Sequence, residues 1–298
     1  MKYMNSSAGV PEITPWQDTW YKLSTNHIAV AGLLVLIILI TGAVFAPLIV
    51  FHEPHEQYTD ILLAPPFWHE DSKPGFILGT DDLGRDIFSR LVYGARYSLF
   101  LGFAIVCLSL LVGVAVGAIA GMKRGVIEAV ILRLMDIMLA IPAILFAIVI
   151  VAILGASLFN AALAVSIVLL PHFVRITRAA VITEMSKDYV LASKLDGSKG
   201  WLLFFRVLLP NISAPLIVQS TLSFSNAILD IAALGFLGLG AQPPTPEWGA
   251  LLSASREFIE TAPWTVTLPG LAILITVLAS NLLGDGLRDA LDPRIDQS

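Results

Sequence analysis

Two aspartates fall inside apolar stretches of the chain, Asp136 and Asp230. A carboxylate at membrane depth costs about 2.5–3.5 kcal/mol on insertion scales, so each needs compensation or a task. Arg133 lies three residues before Asp136, on the same helical face, and a local ion pair is expected there. Asp230 has no basic residue within a turn; it is expected either to line a substrate path or to hold a helix contact by hydrogen bonds. Intramembrane acid proteolysis needs two facing carboxyls, whereas Gly284-Asp285-Gly286 offers one, at the end of the last apolar run, and reads as a helix terminus. No G-x-x-x-x-G-K-[ST], H-E-x-x-H or nucleophile elbow occurs. With a single cysteine, Cys107, neither a disulfide nor a cysteine metal cluster is expected within the chain. Covalent chemistry, a metal and a cofactor are therefore not expected in this chain, and an energy source has to come from elsewhere.

The elements that carry these residues are set by composition. Hydrophobic residues make up 56% and charged residues 14% of the 298-residue chain, more apolar than an ordinary soluble domain. They gather in uncharged blocks of about twenty residues, the length that crosses about 30 Å of hydrocarbon. Six spans are predicted, at about 28–50, 97–120, 126–152, 156–174, 212–236 and 265–284. The first is too long for a signal-peptide core and lacks a small-residue cleavage site, so it is read as an uncleaved anchor. Asp136 and Pro142 interrupt the third span, and the fourth ends near Pro171, beside a lone and interfacial His172.

Thirteen Lys and Arg lie on one side of the predicted spans, Lys2, Lys22, Arg288 and Arg294 among them, and five on the other. This asymmetry places the first side, with both termini, in the cytoplasm. The outer loops carry eleven acids against those five bases, a charge that either orients a soluble partner or accumulates where bases are excluded. Gly113, Gly117 and Gly121 repeat every four residues and form a stripe for close helix packing. The 175–211 segment holds six of the inner bases. Ser186 is expected to cap a short helix that Gly197 ends. A second helix, with Trp201, Phe204, Phe205 and Leu208 on roughly one face, runs to Pro210. By pattern alone this hairpin lies either on lipid or in a protein groove.

The segment LASKLDGSKGWLLFFRVLLP (191–210) resembles the EAA loop of bacterial ABC-importer permeases. Ala192, Gly197, Leu209 and Pro210 match its spacing, while Leu191, Ser193 and Val207 replace Glu, Ala and Ile. In that family the loop is the coupling helix that docks on an ATPase subunit, so the resemblance favours the groove. ILGTDDLGRDIFSRLVYGARYSL (77–99) and AILDIAALGFLGLGAQPPTPEWGALL (227–252) resemble stretches of the C-type permeases of dipeptide, oligopeptide and nickel importers, with the dipeptide branch nearest. The likeness runs through nearly the whole chain to LLGDGLRDALDPR.

The resemblance implies an all-α, polytopic membrane protein with six transmembrane helices and the type I ABC importer permease (MetI-like) fold. Residues 1–95 would hold the N-terminal cytoplasmic segment, first span and periplasmic loop. Residues 96–285 would form the permease domain with the 186–210 coupling loop, and 286–298 a cytoplasmic tail. The implied partners are a homologous second permease, two ABC ATPase subunits that bind ATP and Mg, a periplasmic solute-binding protein and membrane lipid, with no nucleic acid. The implied function is import of dipeptides or short peptides by alternating access, with haem, nickel or antimicrobial peptides as alternative cargo. A stand-alone secondary transporter would instead need ionisable relays and an inverted repeat. Among the outer motifs, Asp81, Asp82, Arg85, Asp86 and an interfacial Trp248 are expected to form a rigid cap, a contact with the binding protein, or both.

Overall fold

The computed structural model describes residues 15–291, which are helical with connecting loops. Lys2, Arg294 and the chain termini, used in the charge argument, lie outside the described residues, as does the Trp16 side chain. In chain order the helices are α1 (Pro15–Thr25), α2 (His27–Val44), α3 (Ala46–Ile49), α4 (Ile87–Lys123), α5 (Gly125–Leu139), α6 (Ala143–Leu154) and α7 (Leu158–Met185). Then follow α8 (Asp188–Leu195), α9 (Gly200–Leu203), a π-helical turn Phe204–Leu208, α10 (Leu209–Asn211), α11 (Ser213–Phe236), α12 (Trp248–Ser255) and α13 (Trp264–Leu291).

Five helices, α2, α4, α7, α11 and α13, are each long and apolar enough to cross a membrane; α5 and α6 together make a sixth, broken crossing bent by 93°. Pro142 explains the break, because it has no N–H to give and biases Ile141 away from helical geometry. The fourth span is longer than predicted. Pro171 sits buried inside α7, and the helix continues for fourteen residues beyond it, so His172 is an exposed residue of the mid-helix and not of a span end. The expected domain boundaries at 95/96 and 285/286 likewise fall inside the continuous helices α4 and α13.

The long helices start where side chains satisfy free N–H groups. Asn26 accepts from the Ile28 and Ala29 amides at 3.2 Å, and Asp86 Oδ2 accepts from the Ser89 amide at 2.9 Å. Between α4 and α5 the chain reverses through two left-handed residues, Arg124 and Gly125.

The core is built around α4 and α7, which run parallel. The glycine stripe is what lets them approach: a Cβ at Gly117 would lie 2.6 Å from the Val174 carbonyl oxygen and 2.7 Å from Thr177 Cβ, and one at Gly113 would overlap Phe173. Ser109 Oγ on α4 adds an interhelical hydrogen bond to the Ser166 carbonyl at 2.9 Å. The stripe thus packs helices within this chain. Apolar side chains of α4, α6, α7 and α11 fill one core around Phe173 and Val165, and those of α2, α4, α11 and α12 fill another around Trp248.

Candidate coupling and transport surfaces

At the end of the bundle that carries α1, α8 is held against the span helices by one fully buried residue, Val190, which packs with Leu203, Phe204 and Leu208. Glu184, buried at the end of α7, accepts from Lys187 Nζ at 3.1 Å and from the Tyr189 hydroxyl. These bonds fix the angle at which α8 leaves α7. Glu184 had been missed; its i,i+3 spacing to Lys187 was the available signal. Ser186 does not cap α8. Its hydroxyl donates to the Thr183 carbonyl at 2.7 Å and finishes α7 instead, while Lys187 precedes α8 without a side-chain cap. Gly197 does end α8, with φ +95°. The Ser198 amide reaches the Ser193 carbonyl at 3.0 Å and the Gly197 amide the Lys194 carbonyl at 3.1 Å, a Schellman closure.

With Val190 turned inward, α8 shows Leu191, Ala192 and Leu195 outward, Leu195 with 81% of its surface free. Two leucines a turn apart at this end of the bundle form an apolar face with no cover from the described residues. The aromatics of the face expected downstream hold together, with the Trp201, Phe204 and Phe205 ring centroids 5.2–5.8 Å apart. The π-helical turn, with one extra residue per turn, buries Phe204 and Leu208 but leaves Trp201 and Phe205 exposed. Val207 and Leu209 are half-buried, and Pro210 is exposed at the entry to α11.

Asp136 pairs with Arg175 of α7 at 2.5 Å, and not with the expected Arg133. The 93° break turns this part of α5 across α7, where Glu128 also meets Arg178. The partner was thus chosen by helix crossing, which outweighs sequence proximity. Asp230 has neither a hydrogen bond nor an ion pair among the described residues and is half-buried on α11. Asn226, one turn earlier, is exposed. An amide and an unpaired acid on one open helix face exclude that face from plain hydrocarbon.

At the opposite end, Asp81, Arg85 and Asp86 form a buried cluster. Arg85 Nε donates to Asp81 Oδ2 at 2.7 Å, Arg90 Nε stands 3.5 Å from the same oxygen, and Arg90 Nη1 reaches the Pro54 carbonyl at 3.2 Å. Asp86 is spent as the cap of α4. Trp248 is 1% exposed, with Nε1 donating to the Leu91 carbonyl at 3.0 Å, so it is an internal strut and not an interfacial aromatic. Burial removes Asp81, Arg85, Asp86 and Trp248 from the contact surface expected of them and leaves Asp82, half-exposed. What they build is a buried, hydrogen-bonded cluster at the start of α4. Glu247, also missed, is buried there; its Oε2 accepts from the Ala250 amide at 2.9 Å and caps α12. Its sequence signal was an acid just ahead of a short apolar helix.

Residues 113–297 match the family model described as "Binding-protein-dependent transport system inner membrane component", and residues 14–66 match the "N-terminal TM domain of oligopeptide transport permease C". A di/tripeptide transport system permease protein of Pseudomonas aeruginosa is 53% identical over 98% of this chain and 97% of its own length. A dipeptide transport system permease protein of Escherichia coli K12 is 55% identical over 98% and 97%. A peptide transport system permease protein of Shigella flexneri is 44% identical over 92% and 93%. Among solved structures, a chain of the inward-facing MetNI methionine ABC transporter superposes with a TM-score of 0.56 at 18% identity, covering 69% of this chain and 98% of that one, and shares its fold. The MetI-like helical fold and the near full-length likeness lead to one assignment: this chain belongs to the binding-protein-dependent transport system inner membrane components, the permeases of bacterial ABC importers.

Proposed function

We propose that this chain imports dipeptides or short peptides as one half of a permease heterodimer, with a homologous second permease, two ATPase subunits that bind ATP and Mg, and a periplasmic binding protein. The observation that carries the reading is the uncovered apolar face of α8, Leu191, Ala192 and Leu195, fixed to α7 through Glu184. A helix of this kind fits a groove on a soluble partner. In this reading α8 and both termini are cytoplasmic, as the Lys and Arg distribution supports, and the cap around Asp81 and Trp248 is periplasmic. ATP-driven closure of the ATPase pair pushes α8, the π-helical turn passes the displacement to α11, and the two permeases alternate their opening. Asn226 and Asp230 then face the path between the permeases, where an unpaired carboxylate meets water and the peptide. The peptide cargo is supported by the names of the 53–55% identical relatives.

Vesicles reconstituted with all subunits should take up a labelled dipeptide only with ATP and binding protein present. Crosslinkers at Ala192 or Gly197 should capture an ATPase subunit. Uptake by this chain alone on an ion gradient, or labelling of Gly197 from outside the cell, would overturn the reading.

A further inference from the structure

One line of side chains runs down α7: Ala161, Val165, Val168, His172, Arg175 and Ala179, spaced by three or four residues and so on a single face. The first three are buried, in the core that Ala147 and Val151 of α6 and Ala227 and Ile231 of α11 complete. The last three are exposed. The change falls at Pro171, and chemistry changes with burial, from alanine and valine to histidine and arginine.

The α6–α7 hairpin explains where the cover stops. Its short turn, residues 155–157, joins antiparallel helices, so the 12 residues of α6 lie beside about the first twelve of α7. At Pro142 the 93° break then carries α5 to one flank, where Asp136 and Glu128 meet Arg175 and Arg178. The α7 face beyond Pro171 is left open.

This open stretch is still at membrane depth. The tip of the hairpin bears Ile153 and Phe159, 79% and 75% exposed, and so stands no further out than the edge of the hydrocarbon. At 1.5 Å per residue, His172 lies about 21 Å and Arg175 about 26 Å along α7 from Leu158, within the roughly 30 Å of the apolar layer. Exposed side chains elsewhere on the spans are apolar, as with Phe100 and Leu111 on α4 and Ile38 on α2. An arginine–aspartate pair with both side chains half exposed, and an exposed imidazole one turn away, are costly against lipid tails and at ease in water.

We infer that α7 beyond Pro171 walls a water-filled vestibule open at the α8 end, with His172 at its deepest point and the Asp136–Arg175 pair at its side, through which the transported solute leaves. The wall carries charge of both signs, which suits a zwitterion such as a short peptide. That the solute is a peptide and the α8 end cytoplasmic rests on the function proposed above; the vestibule itself needs only the membrane-spanning fold.

The test places the complete transporter, with Cys107→Ser in this chain, in sealed vesicles. Single cysteines are treated with a charged, membrane-impermeant methanethiosulfonate, which reacts with thiolates in water. His172→Cys and Ala179→Cys should be modified at least about tenfold faster than Val165→Cys in the core and Phe100→Cys on the apolar surface of α4, and only from the side that modifies Gly197→Cys. Trapping the ATPase subunits with ATP and vanadate should slow the reaction of His172→Cys by a similar factor, because the path then opens at its other end. Uptake by each variant reports folding, and Ile176→Cys, half-buried one turn on, replaces His172→Cys if that variant is inactive. Reaction of the deep cysteine as slow as that of Phe100→Cys would mean that lipid or protein covers the stripe and would overturn the inference, even with Ala179→Cys reactive. Fast reaction that trapping leaves unchanged would overturn the assignment of the vestibule as the exit. Reaction of His172→Cys and Gly197→Cys together from the periplasmic side would keep the vestibule and overturn the orientation in the proposed function.

Discussion

Ser98 of α4 and Glu247, 149 residues apart in the chain, meet at 3.1 Å through the serine hydroxyl and the buried carboxylate. Glu247 also caps α12 and lies against Gly235 of α11, where an added Cβ would stand 2.7 Å from its Oε2. One carboxylate thus ties α4, α11 and α12 together at the capped end of the bundle. Burial pushes its pKa up, against the lowering effect of the Gly249 and Ala250 amides and Ser98.

Glu247→Ala should destabilise the protein by about 2 kcal/mol, since it removes a helix cap and strands a buried hydroxyl. The pH dependence has a defined sign. A carboxyl whose folded pKa is raised favours the folded state most when protonated, so its contribution is full below the unfolded carboxyl range, near 4.3, and is lost as pH rises through the folded value. Glu247→Gln stays neutral throughout. Its thermal stability relative to wild type should therefore improve between pH 4 and 7, and a flat difference would contradict the raised pKa.

The Asp136–Arg175 pair can be separated from the local alternative by charge exchange. Both side chains are half exposed, and the pair is worth on the order of 1 kcal/mol. Asp136→Arg and Arg175→Asp should each lower the melting temperature, the double variant should recover most of the loss, and Arg133→Gln should change little. Melting curves in detergent read all four.

Glycine substitutions should sort by neighbour. Gly117→Ala meets the Val174 carbonyl and Thr177 and should cost about 1–3 kcal/mol by overpacking. Gly270, inside α13, has nothing within 4 Å of its added Cβ, and Gly270→Ala should be neutral or stabilise by up to about 1 kcal/mol through helix propensity. Thermal unfolding with matched expression levels gives the comparison.

Leu195→Glu tests the α8 surface. Leu195 is 81% exposed in this chain, so the substitution should leave the permease fold unchanged by melting. A buried anchor at an interface is worth about 2 kcal/mol or more, so retention of the ATPase subunits and ATP-driven uptake should fall at least tenfold. Unchanged retention of the ATPase subunits would rule out α8 as their docking surface.

The apolar blocks, the glycine stripe and the 191–210 spacing were legible in the sequence because each is a local, periodic property. Twenty apolar residues need a bilayer wherever they occur, three glycines four apart share a face on any helix, and a glycine after a short helix closes it. These settle the helical class, the membrane and a short helix that Gly197 ends. Partner choice was not legible. Arg175 was one of several bases within reach of the apolar segments, and only the break at Pro142 turns Asp136 towards it. Asp81, Arg85 and Trp248 have the composition of a surface motif, yet the fold closes other chain over them, Arg90 and the Pro54 carbonyl on one side and Leu91 on the other. Trp201, Phe204 and Phe205 read as one face at the α-helical period and do cluster, but which of them is buried, Phe204 together with Leu208, was decided by packing around the π-helical turn. Sequence alone determined what the chain must be dissolved in, because solvation depends on the sum of local composition. Tertiary structure decided which charges are spent inside and which apolar side chains remain for partners, because burial depends on segments distant in sequence that meet only after the helices cross.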